Sequence, residues 1–385
     1  MSNVYDFVIV GGGIAGVSTA SELAKIGSVL LLERESSLAY HTTGRSAAIS
    51  MESYGNELIR KLTCASRNFF ENPPSDITAD PLCSPRGALI LSDDENFSKL
   101  KLRYEVVKKI VPSVEMLDRN DFMEMAPFIS GKWIAGMYEK SAFDLDVHAI
   151  HTAFCRNIRK HGGVIKAEAE VIEATRVAAS WVITLSDGEK VQAGVIVNAA
   201  GAWADVLAQR CHVNSLGIQP LQRTVVVIDP EINVDACPYI GTVNEQIFIK
   251  PDVGRLMVSP CDETLSEPGD VIADEMGVAI TMDRLESSTV LRPKKIMNRW
   301  AGLRVFVPDR SPLLGLDPSV EGFIWCAALG GYGIQTAPMV GRLCASYASK
   351  SSMPTELLEV NFEAASPSRD ISAPNGKSIL VEDLK

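Results

Sequence analysis

The stretch Phe7-Val-Ile-Val-Gly-Gly-Gly-Ile-Ala-Gly16 decides the fold. Its apolar, β-branched opening reads as a buried parallel strand, and Gly11, Gly13 and Gly16 follow at GxGxxG spacing. An amphipathic helix is expected next, with Ile14, Val17, Leu23 and Ala24 on one face and Gly27 as its C-cap. A second strand, residues 28–32, then ends in Glu33.

Each part has a physical task. Gly11 permits a tight turn, Gly13 lets the backbone approach a pyrophosphate, and Gly16 lets helix and strand pack closely. The helix start at Ile14 and Ala15 offers free N–H groups and a positive dipole end. Glu33 stands where a carboxylate can accept hydrogen bonds from a ribose diol. Strand, glycines, helix, strand and acid in this order predict a dinucleotide site.

A second glycine-rich segment lies near the other end, Gly322-Phe-Ile-Trp-Cys-Ala-Ala-Leu-Gly-Gly-Tyr-Gly-Ile-Gln-Thr336. It reads as a strand, a loop with Gly330, Gly331 and Gly333, and a helix beginning near Thr336 with Pro338 in its first turn. Two such segments at opposite ends suggest one cofactor gripped by both, which favours FAD over NAD. A reduced flavin is anionic at its pyrimidine edge, and a helix dipole there would stabilise it. Between them, residues 195–205 run from a strand into small residues and a turn, as a third crossing near the cofactor requires.

Composition narrows the rest. The 385 residues are 46% hydrophobic, enough for a large core and too apolar for a disordered chain. A net charge of −11 repels phosphate backbones, so no nucleic-acid partner is expected. Eight scattered cysteines lack CxxC or His pairing, which argues for reduced thiols, a cytoplasmic setting and no metal. No run of eighteen apolar residues occurs, so no transmembrane segment is expected.

The chain resembles the FAD-dependent D-amino-acid oxidase superfamily, of the glycine-oxidase and sarcosine-oxidase type, and within it the bacterial D-arginine dehydrogenases. The resemblance is carried in order by the fingerprint, His41-Thr-Thr-Gly-Arg-Ser-Ala-Ala48, Ser66-Arg-Asn-Phe-Phe-Glu-Asn-Pro-Pro74, Pro81-Leu-Cys-Ser-Pro-Arg86, Asn198-Ala-Ala-Gly-Ala-Trp203, Trp300-Ala-Gly-Leu-Arg304 and Gly330-Gly-Tyr-Gly-Ile-Gln-Thr336. It implies an α/β (α+β) fold: a Rossmann-like FAD-binding domain from residues 1–85, 145–216 and 320–370, and a substrate domain on a mostly antiparallel sheet from 86–144 and 217–319. Residues 371–385 form a tail, and order is expected to weaken from Ser366 onward.

The resemblance also implies site residues. Gly11, Gly13, Ile14, Ala15, Gly16, Glu33 and Arg34 would meet the adenosine and pyrophosphate of a non-covalent FAD. Thr42, Gly44, Arg45, Ser46, Ala47 and Ala48 would lie along the isoalloxazine and its linker. Val171 would present backbone to the adenine, Ala200, Gly201 and Trp203 would lie nearby, and Gly330, Gly331, Tyr332, Gly333, Ile334, Gln335 and Thr336 would meet the ring.

The implied reaction takes a hydride from an amino acid's α-carbon to the flavin, giving an imino acid, then a 2-oxo acid and ammonia. Arg304 and Arg223 would hold the substrate carboxylate, Tyr54 would cover it from a mobile loop, and the Gly331 carbonyl would accept from the amine. Ile49, Ala88 and Phe248 stand where the D-arginine dehydrogenases carry polar groups, with Tyr239 as a remaining hydroxyl on the wall. An apolar side-chain pocket is therefore expected. A secondary amine such as a hydroxyproline or opine, a 2-hydroxy acid, and a flavin subunit of a hetero-oligomer remain alternatives. Oxygen and a quinone both remain open as electron acceptor.

Overall fold

The computed structural model describes residues 3–78 and 80–372. Its architecture is mixed α/β, organised around two large sheets.

In the first sheet Val4–Val10 pairs in parallel with Val29–Leu32 on one side and Lys190–Asn198 on the other. Val164–Lys166 adds a further parallel strand beyond Val29–Leu32. On the side away from Val4–Val10, the nine residues of Lys190–Asn198 serve two more partners. The first part pairs antiparallel with Ser180–Leu185, and the last three residues pair in parallel with Phe323–Ala327. The carboxyl ends of Val4–Val10, Lys190–Asn198 and Phe323–Ala327 thus lie side by side, each running into small residues. Crevices outside such strand ends are where open α/β sheets hold ligands.

Helix Ile14–Leu23 departs from the amphipathic expectation. Ser18, Thr19 and Ser21 are buried along with the apolar residues, because the helix is enclosed by the sheet, Val147–Lys160 and Gly333–Ser349. The Ser18 and Thr19 hydroxyls donate to the Ala15 carbonyl at 3.1 and 2.8 Å, so their burial leaves no orphaned donor. Close approach explains the small residues: a Cβ on Gly341 would lie 2.7 Å from the Ser18 carbonyl carbon. Gly27 is not a left-handed cap either. The helix ends at Leu23, and a Cβ on Gly27 would press 2.8 Å from the Phe7 ring.

The second sheet has nine strands and is antiparallel except where Tyr239–Thr242 runs parallel to Ala88–Ser92. Its longest pairing joins Gln219–Ile228 to Ile296–Phe306. That register sets Arg223 opposite Gly302 and Leu221 opposite Arg304, so the two arginines share one face as diagonal neighbours, roughly 7–8 Å apart at the backbone. A three-stranded sheet of Ile49–Ser50, Phe143–Leu145 and Cys83–Pro85 completes the pairing.

The final long helix, Gly333–Ser349, starts three residues before the expected Thr336. Pro338 therefore falls in the second turn, where it withholds the usual donor from the Ile334 carbonyl. Order does not fade at Ser366: the Arg369 guanidinium binds Asp309 at 2.6 and 2.9 Å and reaches the Ser311 and Pro312 carbonyls. The remainder of the expected tail, residues 373–385, lies outside the described residues. Among the described residues, no helix is long and apolar enough to cross a membrane.

Candidate functional site

A cleft runs from the first glycine turn to the inner face of the second sheet, and most residues expected at a cofactor line it. At one end Gly11 has φ +116°, and a Cβ there would collide with the Ala199 carbonyl oxygen. Gly16 has no room for a Cβ because the Gly11 carbonyl fills that space, so it serves packing and lies behind the wall. Glu33 Oε2 accepts from Gly12 N–H at 2.8 Å and Oε1 from Glu35 N–H at 2.9 Å, which fixes the carboxylate at its strand end.

His151 was not expected here. Its Nε2 lies 2.9 Å from the Gly12 carbonyl, so it supports the turn from behind, and burial holds its pKa below the ordinary histidine value. Two helix N-termini open into the cleft, Ile14 and Gly333, with no acid in the first turn; the Ile14 N–H donates to Thr43 Oγ1 at 3.0 Å, and Tyr332 gives the second helix no side-chain cap. Two helix N-termini without first-turn acids, a glycine cradle and a fixed carboxylate fit an adenosine pyrophosphate.

Along the cleft the loop at residues 42–46 is clamped to the strand carrying Arg304. Thr42 Oγ1 donates to the Leu303 carbonyl at 2.6 Å, and Trp300 Nε1 donates to the Arg45 carbonyl at 3.1 Å. Arg45 borders the cleft, but its guanidinium is committed to the Ala301 and Val271 carbonyls and to Asp270. Its guanidinium thus clamps this loop to the sheet and to Asp270. Arg34 stacks 4.9 Å from the Trp203 ring, and Arg210 donates 2.7 Å bonds to Glu170 and to the Val171 carbonyl. His41 Nε2 lies 3.0 Å from Glu35.

Three further expected positions stand behind the wall. Gly44 turns tightly under the Ala39 carbonyl, the Tyr332 ring packs against Tyr54 and Phe306, and Thr336 Oγ1 donates to the Tyr332 carbonyl at 2.9 Å. Ala39, Ala48, Ala328, Glu245 and Cys261 border the cleft with positive φ, as do seven non-glycine residues away from it among the described residues.

At the other end the Arg304 guanidinium occupies the space that a Gly331 side chain would fill. Its Nη2 donates to Tyr54 Oη at 2.9 Å, and its carbon lies 5.5 Å from the Phe306 ring centre. Among the described residues no carboxylate lies within ion-pair distance of Arg304. Arg223 is less free: it donates to the Asp262 carbonyl at 2.9 Å and to Glu263 at 3.2 Å, and Glu263 also holds Arg310. Burial pushes the Cys261 thiol up to about 11, so it is wall and not nucleophile.

Ile49, Phe248 and Tyr239 border this end as expected, with the Tyr239 and Phe248 rings 5.7 Å apart. Ala88 does not. It is buried one layer back, packed with Ile49, Met51, Tyr54, Ala142 and Tyr239. The wall is not wholly apolar, because Arg103 and Glu245 are part of it. Arg103 could have been noticed, since it shares the buried stripe of its helix with Leu100 and Val107. Nothing around Glu245 marks it.

The model of the family described as DAO, FAD dependent oxidoreductase, matches residues 6–347. A glycerol 3-phosphate dehydrogenase of Caloramator mitchellensis is 24% identical over 88% of this chain and 72% of its own. The mitochondrial dimethylglycine dehydrogenase of Mus musculus is 24% identical over 92% of this chain and 43% of its own, so the chain spans under half of that relative. The crystal structure of glycine oxidase from Geobacillus kaustophilus superposes with a TM-score of 0.83 at 20% identity, covering 96% of this chain and 100% of that one, which shows a common fold.

Proposed function

Because the chain belongs to the DAO family of FAD-dependent oxidoreductases, we propose that it oxidises D-amino acids at the α-carbon, with the carboxylate held by Arg304. Bound FAD would accept the two electrons of the substrate C–H bond. The glycine turn, Glu33 and the helix start at Ile14 would hold its adenosine half non-covalently, and the loop from Thr42 to Ala48 with Gly330 and Gly331 would hold the ring.

The observation that carries this reading is a half-buried guanidinium bordering the cleft, with no carboxylate within ion-pair distance among the described residues. A planar cation in that state suits a planar carboxylate, and pinning the carboxylate orients the neighbouring carbon. Tyr54 positions Arg304 through its hydroxyl, and Arg223 lends charge from the next strand. The Gly331 carbonyl would take a hydrogen bond from the substrate amine. The amine sheds its proton to water, and the resulting imino acid hydrolyses to a 2-oxo acid and ammonia.

A second reading, a secondary or tertiary amine bearing a carboxylate, is favoured by the overlap with dimethylglycine dehydrogenase along 92% of the chain. Anaerobic bleaching of the FAD-loaded protein by D- and L-amino acids, N-alkyl amino acids and 2-hydroxy acids separates the readings. Bleaching with ammonia release by D-enantiomers supports the first. Bleaching by N-alkyl substrates alone supports the second, and no bleaching by any carboxylate removes both.

A further inference from the structure

We infer that the substrate carries a second carboxylate, which Arg103 binds at the end of the pocket remote from the reacting carbon. The inference rests on the carboxylate-oxidising reading above and narrows it to a substrate class.

Arg103 projects from helix Phe97–Val107 and is only 2% exposed, yet it forms part of the cleft wall. Its Nε has no hydrogen-bond partner, and Nη2 makes a single long bond, 3.4 Å, to the Ser53 carbonyl. Among the described residues no carboxylate lies within ion-pair distance of it. A guanidinium carries five N–H donors and keeps its charge in proteins. Burying it with so little satisfaction is costly unless a ligand supplies the missing acceptors.

The placement relative to Arg304 gives the ligand's shape. Arg103 touches the Ser53 carbonyl, and the next residue, Tyr54, carries the hydroxyl that Arg304 grips. One short segment therefore lies between a buried and a half-buried guanidinium, neither with a carboxylate within ion-pair distance among the described residues, although the charge of Glu245 acts on both. That segment is held firmly, since Glu52 and Ser53 N–H donate to the buried Glu139 carboxylate at 2.8 and 3.0 Å. Glu245, the one acid on this part of the wall, engages no cation within ion-pair distance among the described residues. A ligand with one anionic group satisfies Arg304 and leaves Arg103 bare. A dicarboxylate satisfies both.

The test uses the FAD-loaded enzyme and unreactive acids, propionate to hexanoate against malonate to adipate. Binding is read by calorimetry and by perturbation of the flavin spectrum. At least one dicarboxylate should bind about thirtyfold more tightly than the monocarboxylate of equal length. Arg103→Gln should bring that ratio close to one, and Arg103→Lys should retain part of it. Equal binding of the two series by the unaltered enzyme overturns the inference alone, whether or not the variants fold. A ratio that survives Arg103→Gln overturns it too. If neither series binds, the Arg304 anchor fails with it.

Discussion

The Arg304 guanidinium lies in the volume that any side chain on Gly331 would claim. The two residues sit on different segments, one at the end of Ile296–Phe306 and one in the loop before the last helix. Gly331→Ala must therefore move the guanidinium or the loop. It should lower kcat/KM for carboxylate substrates by roughly thirtyfold to several thousandfold, the effect of about 2–5 kcal/mol at a charged contact. FAD content, read from the visible spectrum, separates a displaced guanidinium, which leaves it near that of the parent, from a displaced ring loop, which lowers it. Near-normal efficiency would show that Arg304 does not hold the carboxylate.

Tyr54 reaches Arg304 through one hydroxyl, so Tyr54→Phe removes one hydrogen bond and keeps the ring contact with Tyr332. The net loss should be about 0.5–1.5 kcal/mol, a roughly twofold to tenfold fall in kcat/KM. Arg304→Ala should be far worse. Steady-state kinetics of both variants on one substrate rank them, and a reversed order would refute the positioning role.

Gly11 has no room and no conformational freedom to spare, since φ is +116° and the Ala199 carbonyl fills the space of a Cβ. Gly11→Ala should fold less stably and be purified with little flavin. Measurement of bound FAD after gel filtration decides it.

His151 supplies a pH dependence with a defined sign. Burial lowers its pKa in the folded protein, whereas the unfolded chain titrates near the ordinary value of about 6.5. Between those two values the unfolded state binds more protons, so stability is present above about 6.5 and falls as pH drops toward the folded value. His151→Gln can keep a donor to the Gly12 carbonyl without titrating. Urea unfolding from pH 5 to 8 should show a shallower slope for the variant, and parallel slopes would assign the titration elsewhere.

The nucleotide half was legible because backbone collisions dictate it: Gly11 against Ala199 and Gly16 against Gly11 leave no choice of residue. Arg304 and Arg223 were legible as residues, but their sharing of a face depends on a register between strands far apart in sequence. The enclosed helix at Ile14 was misread because its polar residues satisfy themselves on their own backbone, which periodicity does not reveal. Ala88 was assigned to the pocket by position alone, while Tyr239 and Ile49 cover it. Arg103 is readable as buried, but the cavity it meets is set by tertiary contact with the segment at Ser53.

The strand from Trp300 to Arg304 holds the loop at Thr42 and Arg45 by three hydrogen bonds and ends in the Arg304 guanidinium. Strand and loop are thereby tied into one jaw of the cleft, and under the proposed reading the interval between the loop and the Arg304 guanidinium is a fixed gauge. Any retargeting, by mutation or by design, has to remodel the opposing jaw, where helix Phe97–Val107 and the turn at Glu245 meet the wall.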